Sequence, residues 1–403
     1  MELLLQELKK IWRPAILAVI ILLGAIYYYL FPEFYIQYFN NGDSAEASFS
    51  LSAEWAEKYG STLEADERAE LDAQLAAEQT RFAEELKAYD EPAEYGFSDW
   101  ESFDAFQQAY YKQASENDGE TDMVTEEVIW KMIRGTNYFT VDTLISVMKF
   151  YDNLADDIPP NLNYVGSGDS AATYEKTIAR VAVIKTSDRV HGYLPFGMLD
   201  STNSYLKYLA VWAVLSVVLL LSPTLVRDRI RHMRAAQWSS KTGRRVLNIQ
   251  FAAAGISALA LTLVNLVIYA IPFLLQHPLI FKNFQLFSFQ IFWIPWFDWT
   301  YGQYLIVMAL MIVVLAIAAG GLTVFLSQYS GNYVAMLLKA LPLFAALAYI
   351  SSSWIMDQAF FAGNALSKAL AMPRAEFLSA AALAALGIGL RLIACHKQLH
   401  REL

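Results

Sequence analysis

The sequence predicts a polytopic α-helical membrane protein with six transmembrane helices, both termini cytoplasmic, and a mainly helical α or α+β extracytoplasmic domain. Three observations support this fold class. Of the 403 residues, 56% are hydrophobic and 17% are charged, with a mean hydropathy of +0.30, a balance that argues against a soluble enzyme. Apolar runs of membrane-spanning length recur along the chain. The charges are also separated by sign, since residues 32–203 hold 33 of the 40 acidic groups and 12 of the 30 basic groups.

This separation gives the segment 32–203 a net charge of −21 and leaves +11 on the remainder. Such an asymmetry indicates an acidic polar domain in water and a basic, apolar part in a lipid bilayer. It also disfavours nucleic acid as a partner. The single cysteine, Cys395, excludes an intramolecular disulfide, so the acidic segment must fold by packing alone. These features are compatible with a bacterial plasma membrane.

The N-terminal region predicts an elbow followed by the first span. Residues 1–13 place six apolar side chains largely on one helical face, which is typical of a cytoplasmic amphipathic helix lying in the interface. They are Leu3, Leu4, Leu5, Leu8, Ile11 and Trp12. The uncharged run 14–31 is just long enough to be transmembrane helix 1. The alternative, a cleaved signal peptide, is weaker because the nearest cleavage-like sequence, 45–47, lies too far beyond the run.

Five further apolar stretches follow in residues 204–403 and complete the six spans. They cover residues 208–226, 251–275, 304–326, 334–354 and 377–395. Lys339 and Arg391 lie near the ends of the last two, where a long cationic side chain can reach the headgroups. We interpret both as markers of cytoplasmic ends, the alternative being a role in an ion pathway.

Orientation follows from the basic residues of the loops. Lysines and arginines concentrate before the first span, in the loop 227–250 and after the last span, so the positive-inside rule makes both termini cytoplasmic. The acidic domain 32–203 then lies outside, and 276–303 and 355–376 form the shorter outer connections. Residues 327–333 form a tight inner turn. Because 276–303 is rich in aromatic residues, we expect it to lie in the outer headgroup layer, with substrate binding as the alternative.

Local patterns predict the elements of the acidic domain. SxxE capping boxes at Ser61 and Ser98 precede helices over about 62–89 and 100–113. The first helix carries an apolar stripe of Leu63, Leu71, Leu75, Phe82 and Leu86. Helical spacing over 124–154 predicts a further helix. The run TIARVAVIK, 177–185, predicts short strands.

The chain carries no recognisable catalytic or metal site. It lacks GxxxxGK[ST], HExxH, GxSxG and paired CxxC motifs. Four polar residues considered for a membrane enzyme, His191, His277, Asp298 and Asp357, follow no triad or metal spacing. His396 and His400 lie four apart, as metal ligands can, but are read as a solvated tail. The acidic face lacks calcium-loop spacing and is read as solvated rather than as a calcium or peptide site.

The most specific feature is the basic loop 227–250, which is far longer than a connector requires. Its sequence, with flanking residues, is VRDRIRHMRAAQWSSKTGRRVLNIQF. It contains an amphipathic helical portion, a polar SSKTGRR turn and a second helix start. A protruding basic helical elbow of this kind is suited to binding by a cytoplasmic partner. Anchoring by the positive-inside rule would explain the arginines but not the turn.

This loop resembles that of the permease subunits of ABC-2 type ATP-binding-cassette exporters, which carry a glutamate, a glycine and SSKxGR before the third span. Ser239, Ser240, Lys241, Gly243 and the arginines at 244 and 245 match this pattern. Asp228 stands near the usual glutamate and Gln250 stands where a lysine is common. The elbow, six spans and large outer domain are also similar to one branch of that family.

The resemblance implies a coupling helix that docks on a cytoplasmic ABC ATPase dimer. The implied coupling residues are Arg227, Asp228, Arg231, Arg234, Trp238, Ser239, Ser240, Lys241, Gly243, Arg244 and Arg245. This chain would hold no cofactor, since ATP and magnesium would bind to the partner. A second permease, identical or related, would complete an export path for an antimicrobial peptide, a lipid or a drug. The alternative is a membrane-anchored sensor or assembly protein with an extracytoplasmic ligand-binding domain.

Overall fold

The computed structural model describes residues 2–40, 43–116, 122–153, 171–233, 246–287 and 293–399, and within these ranges the regular structure is helical, with no strand. Up to residue 185 the helices are α1 (Glu2–Ile11), α2 (Pro14–Leu30), α3 (Pro32–Gln37), α4 (Asp43–Lys58), α5 (Ala65–Leu86), α6 (Glu91–Tyr95), α7 (Trp100–Glu116), α8 (Met123–Gly135), α9 (Tyr138–Asp152) and α10 (Ala171–Lys185). They are followed by α11 (Phe196–Leu221), α12 (Thr224–Ile230), α13 (Val246–Leu274), α14 (Tyr301–Gln328), α15 (Tyr333–Tyr349), α16 (Ala365–Leu370) and α17 (Ala375–Leu399).

Among the residues that the structure describes, five helices are long and apolar enough to cross a membrane, and they overlap the five stretches predicted after residue 203. They are Phe196–Ile230, Val246–Leu274, Tyr301–Gln328, Tyr333–Met356 and Ala375–Ala394. The helices α1 and α2 pass the same test only as a pair, bent by 48°. Alone, the 17 residues of α2 extend about 26 Å, slightly less than the hydrocarbon thickness.

The bend between α1 and α2 has a local cause. Pro14 occupies the first turn of α2, where its missing N–H costs nothing. The ring also forces the preceding residue out of the helical region, and Arg13 is extended, with φ −91° and ψ 136°. The amphipathic α1 is therefore set at an angle to α2, as the predicted elbow requires.

Side-chain contacts show that successive long helices alternate in direction. At one end, which we call the acidic end because the acidic segment joins it, Tyr205 on α11 donates to the carbonyl of Tyr269 on α13 at 2.8 Å. At the opposite, basic end, Trp12 after α1 donates to Ser257 on α13 at 3.0 Å. The contact of Tyr27 with the carbonyl of Tyr208, at 3.0 Å, places the end of α2 toward the acidic end.

Close packing centres on α14, which contacts α11, α13 and α17. A side-chain carbon built on Gly321 would lie 3.1 Å from the Cα of Gly387 on α17. Gly320 faces Ala258 and Leu221 almost as closely. Small residues thus allow these helices to approach, as expected for a helical bundle. Gly255 and Gly389 face open space instead.

The described part of the acidic segment packs in more than one apolar cluster. Helices α5, α7, α8 and α9 surround their own cluster, in which Phe82, Phe103, Ile129, Met132 and Val141 are fully buried. By contrast, apolar side chains of α4 and the far half of α9 belong to the same core as the membrane-spanning helices. The segment is therefore packed continuously onto the acidic end of the bundle.

Two predicted elements of the acidic segment differ from those in the structure. Residues 177–185 form no strands but the second half of α10, in which Thr173, Thr177, Val181 and Ile184 are buried at helical spacing. A nine-residue run rich in β-branched side chains is too short to distinguish the periodicity of a strand from that of a helix. The packing of one helical face therefore decides the outcome. The predicted helix 124–154 is divided into α8 and α9, because Thr136 is extended. Asn137 then binds Glu78 and Glu85 of α5.

The predicted helices near 62–89 and 100–113 are confirmed as α5 and α7, but their predicted caps are wrong. The capping box of α5 is formed by Glu64 and Glu67. Ser61 lies before it, in a stretch where Leu63 donates to the carbonyl of His191. Ahead of α7, the carboxylate of Asp99, and not Ser98, accepts from the amide of Ser102 at 2.9 Å. Aspartate and asparagine side chains are among the preferred hydrogen-bond acceptors at the start of a helix.

Part of the aromatic connection after α13 is covered by protein and not by the predicted headgroup layer. Phe281, Phe284 and Phe287 are buried inside the protein. Their neighbours are aromatic side chains of the acidic segment, including Phe49 and Tyr193. Apolar composition alone does not reveal whether lipid or protein covers a side chain.

Candidate coupling site at the basic end

The basic loop begins in α12, which is separated from α11 by a break at Pro223. The hydroxyl of Ser327 on α14 accepts from the amides of Leu225 and Val226 at 3.2 and 3.3 Å. The same hydroxyl donates to the carbonyl of Ser222 at 2.8 Å. Free amides at a helix start need such acceptors, so Ser327 fixes α12 against α14.

Two arginines of α12 bind the C-terminal ends of other helices. Arg227, only 5% exposed, donates to the carbonyl of Lys10 in α1 at 2.8 Å. Arg229 donates to the carbonyls of Gln328 and Ser330, at the end of α14, at 2.6 and 3.0 Å. The last carbonyls of a helix lack internal partners and carry the negative end of its dipole. Each arginine therefore supplies both charge and donors where they are needed.

Asp228 is the centre of a buried charge network. It is 3% exposed and accepts from the side-chain amide of Gln250 on α13 at 2.9 Å. Lys10 lies 3.8 Å from the same carboxylate and 2.6 Å from Glu7, which is also buried. A buried carboxylate is tolerated only when it is paired and hydrogen-bonded. The network thus joins α1, α12 and α13.

We call these residues, Glu7, Lys10, Arg227, Asp228, Arg229, Gln250 and Ser327, the loop root. Sequence reasoning singled out Arg227 and Asp228 and noted Gln250 only as a departure from the resembling pattern. It missed the roles of Glu7, Lys10, Arg229 and Ser327. The one available signal was Glu7, an acidic residue three positions before Lys10 on the elbow.

The chain passes from buried to exposed directly after the loop root. Ile230, Arg231, His232 and Met233 are exposed, and His232 adopts a left-handed conformation, φ 56°, that ends the helix. The remaining predicted coupling residues lie outside the described part of the chain: Arg234, Trp238, Ser239, Ser240, Lys241, Gly243, Arg244 and Arg245. Of the predicted set, the structure buries Arg227 and Asp228 within this chain and leaves Arg231 accessible.

The two cations near the ends of the last spans occupy similar positions. Lys339 donates to the carbonyl of Tyr329, in the short turn between α14 and α15, at 3.1 Å. That turn confirms the connection predicted at 327–333. The guanidinium of Arg391 lies 5.9 Å from the ring centre of Phe251 on α13. Both cations therefore lie at the basic end, with the loop root.

A second polar cluster, missed by sequence reasoning, lies at the acidic end. Asn203 on α11 donates to the hydroxyl of Tyr304 and to the carbonyl of Met356, each at 3.0 Å, and accepts from the amide of Gln358 at 3.2 Å. Glu376 is fully buried and accepts from Ser367 at 2.9 Å. These side chains satisfy the backbone of the connection after α15, where the helix ends.

The four residues considered for an enzyme have separate surroundings. Asp298 pairs with Arg180, and Asp357 pairs with Lys207 at 2.8 Å. His191 lies against the ring of Tyr151, where burial lowers its pKa below the usual value. His277 lies in the turn after α13.

Comparisons of the chain with protein-family profiles, with curated proteins and with solved structures find no match. The loop root is accordingly interpreted from its own chemistry. It is a rigid, charge-paired junction of α1, α12, α13 and the end of α14, located where a long basic loop leaves the bundle. It can transmit a displacement of the loop to several helices at once.

Proposed function

We propose that this chain is the membrane-spanning permease subunit of an ABC-2 type ATP-binding-cassette exporter. It would move a substrate outward with energy from ATP, hydrolysed with magnesium by a separate ATPase dimer. The observation that carries the proposal is the loop root, because a connector without a mechanical role needs no buried ion pairs at its base. The resemblance of the SSKTGRR turn supplies the nature of the partner.

The proposed mechanism uses the loop root as a rigid lever. Closure of the two ATPase subunits on ATP would displace the loop. Arg227, Asp228 and Arg229 would carry this displacement to the elbow α1, to α13 and to the end of α14. Since packed helices shift as rigid bodies between discrete arrangements, the bundle would change between inward-open and outward-open states.

Partner contact is assigned to the exposed part of the loop. Arg231 and the basic residues beyond it would touch the ATPase, while the buried Arg227 and Asp228 would position the loop from within. A second permease, the same chain or a related one, would complete the path, because a single six-helix bundle must pair to enclose one.

The proposed topology has six crossings, with the bent pair α1 and α2 as the first. The alternating helix directions support an even number, with both termini at the basic end. By the positive-inside rule the basic end would face the cytoplasm of a bacterial cell. The acidic segment 32–203 would then be extracytoplasmic.

For the substrate, the charge of −21 on the acidic segment favours cationic peptides, whose local concentration it would raise. Lipid and drug export are the alternatives. Deleting the gene should increase sensitivity to a cationic antimicrobial peptide, and the full chain should restore resistance. A variant in which six exposed glutamates of the acidic segment are replaced by glutamine should restore less; they are Glu54, Glu57, Glu84, Glu94, Glu101 and Glu127. Unchanged sensitivity would contradict peptide export.

A second candidate function, a membrane-anchored sensor or assembly protein, is favoured by the separate apolar cluster of α5, α7 and α8. The two functions are distinguished by purifying the tagged chain from its native membrane. The exporter proposal predicts a co-purifying protein that hydrolyses ATP. A preparation that contains other partners but no ATPase would favour the sensor or assembly function.

A further inference from the structure

Helix α10 of the acidic segment lies across two connections at the acidic end of the bundle. Arg180 donates to the carbonyl of Pro295 at 2.8 Å and pairs with Asp298 at 2.5 Å, both between α13 and α14. Lys176 donates to the carbonyl of Ala371, and Thr173 to that of Lys368 at 3.3 Å, both between α15 and α17. One helix thus contacts both connections, the one between α13 and α14 and the one between α15 and α17.

The two connections also pair with each other under α10. Trp296 donates to the carbonyl of Phe360 at 2.9 Å, and Ala362 donates to that of Ile294 at 2.8 Å. Val181 and Ile184 of α10 pack on this pair in a small apolar cluster that is distinct from the main core. Ala362 is 1% exposed as a result.

The connection after α15 carries unusual backbone strain. Gln358, Phe360, Ala371 and Arg374 all have positive φ, between 47° and 79°, without being glycine. A π-helical turn, Ile350–Met356, precedes them. Such conformations persist only where the surroundings impose them, and they concentrate at segments that switch. The contacts of α10 form part of what imposes them here.

The attachment of α10 is weak compared with the packing of the bundle. Its ion pair with Asp298 is partly solvated, since the side chain of Asp298 is 75% exposed although that of Arg180 is 12% exposed, and solvent screening weakens such a pair. The apolar cluster beneath it is small. Segments with few buried contacts open without global unfolding, so α10 can detach while the bundle remains folded.

We propose that α10 is a releasable clamp: while it is bound, it covers the two acidic-end connections and holds them together, and its detachment uncovers them and allows them to separate. The clamp is a property of this chain and requires no ATPase. Under the proposed export function, its release would accompany the outward-open state.

The test uses cysteine accessibility in the full chain, reconstituted in lipid nanodiscs. Cys395→Ala removes the single native cysteine, and Ala362→Cys places a reporter under α10. Labelling by a membrane-impermeant maleimide should be slow in this background. Arg180→Gln and Lys176→Met, which remove the contacts to the two connections, should each accelerate labelling severalfold, and the double variant should accelerate it at least tenfold. Unchanged labelling in the double variant would overturn the clamp.

Two controls keep the result interpretable. Arg68→Gln removes the ion pair with Asp152, which joins α5 to α9 within the acidic segment. It should leave labelling slow, and equal acceleration would overturn the clamp by showing that general loosening exposes the reporter. Val183→Cys, on the exposed side of α10, should label rapidly in every variant. A separate experiment adds the co-purified ATPase with ATP. Because the labelling experiments described above contain no ATPase, failure of the proposed export function would not change the result for the clamp.

Discussion

At the scale of single residues, the charged groups in the described start of the basic loop differ in burial. Arg227 and Asp228 are buried and bound to their own chain, whereas Arg231 is exposed. The sequence pattern placed all three in one contact surface, because charge and helical spacing do not report burial. Their partners Lys10 and Gln250 are distant in sequence, and without the fold nothing connects them to Asp228.

Gln250→Leu should destabilise the protein by about 1–3 kcal/mol, because it removes the amide donor at 2.9 Å from a buried carboxylate. Thermal unfolding of the full chain in detergent measures this loss. Gln113→Leu, on an exposed face of α7, is the matched control and should have little effect. Equal melting temperatures for the two variants would refute the role of Gln250.

Asp142 provides a pH-dependent prediction in the acidic segment. Burial, with repulsion from Asp104, raises the pKa of Asp142 above its usual value. The folded state therefore favours the protonated acid, and this contribution is lost as pH rises through the folded-state pKa. Asp142→Asn should increase stability at pH 7 by on the order of 1 kcal/mol and give no gain near pH 4.

The same thermal unfolding at both pH values checks this sign. Glu127→Gln, an exposed carboxyl on α8, removes one charge without relieving burial and should leave the stability nearly unchanged at both. A stabilisation by Asp142→Asn that is larger at pH 4 than at pH 7 would show that the assigned direction is wrong.

At the scale of elements, periodicity located most helices but not their boundaries. The apolar stripes of α5 and of the long spans were readable because they extend over many turns. The division between α8 and α9 was not, since it depends on Asn137 reaching Glu78 of another helix. Residues 177–185 of α10 were predicted to form strands for the same reason. The contacts that favour the helix lie in connections over 100 residues away.

Two glycine-to-alanine substitutions, one at the contact between α14 and α17 and one away from it, should change the stability of the protein in opposite directions. Gly321→Ala would place a carbon 3.1 Å from the backbone of Gly387, so it should destabilise the protein by about 1–3 kcal/mol. Gly389→Ala, on α17 with nothing within 4 Å, should stabilise it by up to about 1 kcal/mol. Melting temperatures that shift in the same direction in both variants would contradict this packing.

At the scale of the whole molecule, hydropathy predicted the membrane-spanning helices, but not how the acidic segment is joined to them. Phe281 and Phe284 were assigned to lipid, yet they pack against side chains of that segment. An exposed aromatic run and a buried one have the same composition, so only the fold distinguishes them. The loop root likewise depends on helix ends that meet only after the bundle forms.

Cysteine labelling in intact cells tests the proposed topology. In the Cys395→Ala background, single cysteines replace Val183 on α10 and Arg231 after α12, both exposed. An impermeant maleimide should label the first in intact cells and the second only after permeabilisation. Labelling of both sites from outside, or of Arg231→Cys alone, would refute six crossings with a cytoplasmic basic end.

The role of the loop root as a lever can be measured in the complex of this chain with its co-purified ATPase. Arg229→Met removes both bonds to the end of α14 without changing the exposed loop. Arg81→Met, at a surface ion pair of α5, is the matched control. Arg244→Ala combined with Arg245→Ala removes charge from the proposed contact itself.

The decisive quantity is the rate of ATP hydrolysis by these complexes in lipid nanodiscs. If the loop root couples the partner to the bundle, the double alanine variant will lose the ATPase during purification. Arg229→Met will retain the ATPase but hydrolyse ATP at the rate of the isolated ATPase subunit, and Arg81→Met will keep the parent rate. An Arg229→Met complex that hydrolyses ATP at the parent rate would contradict coupling through the loop root.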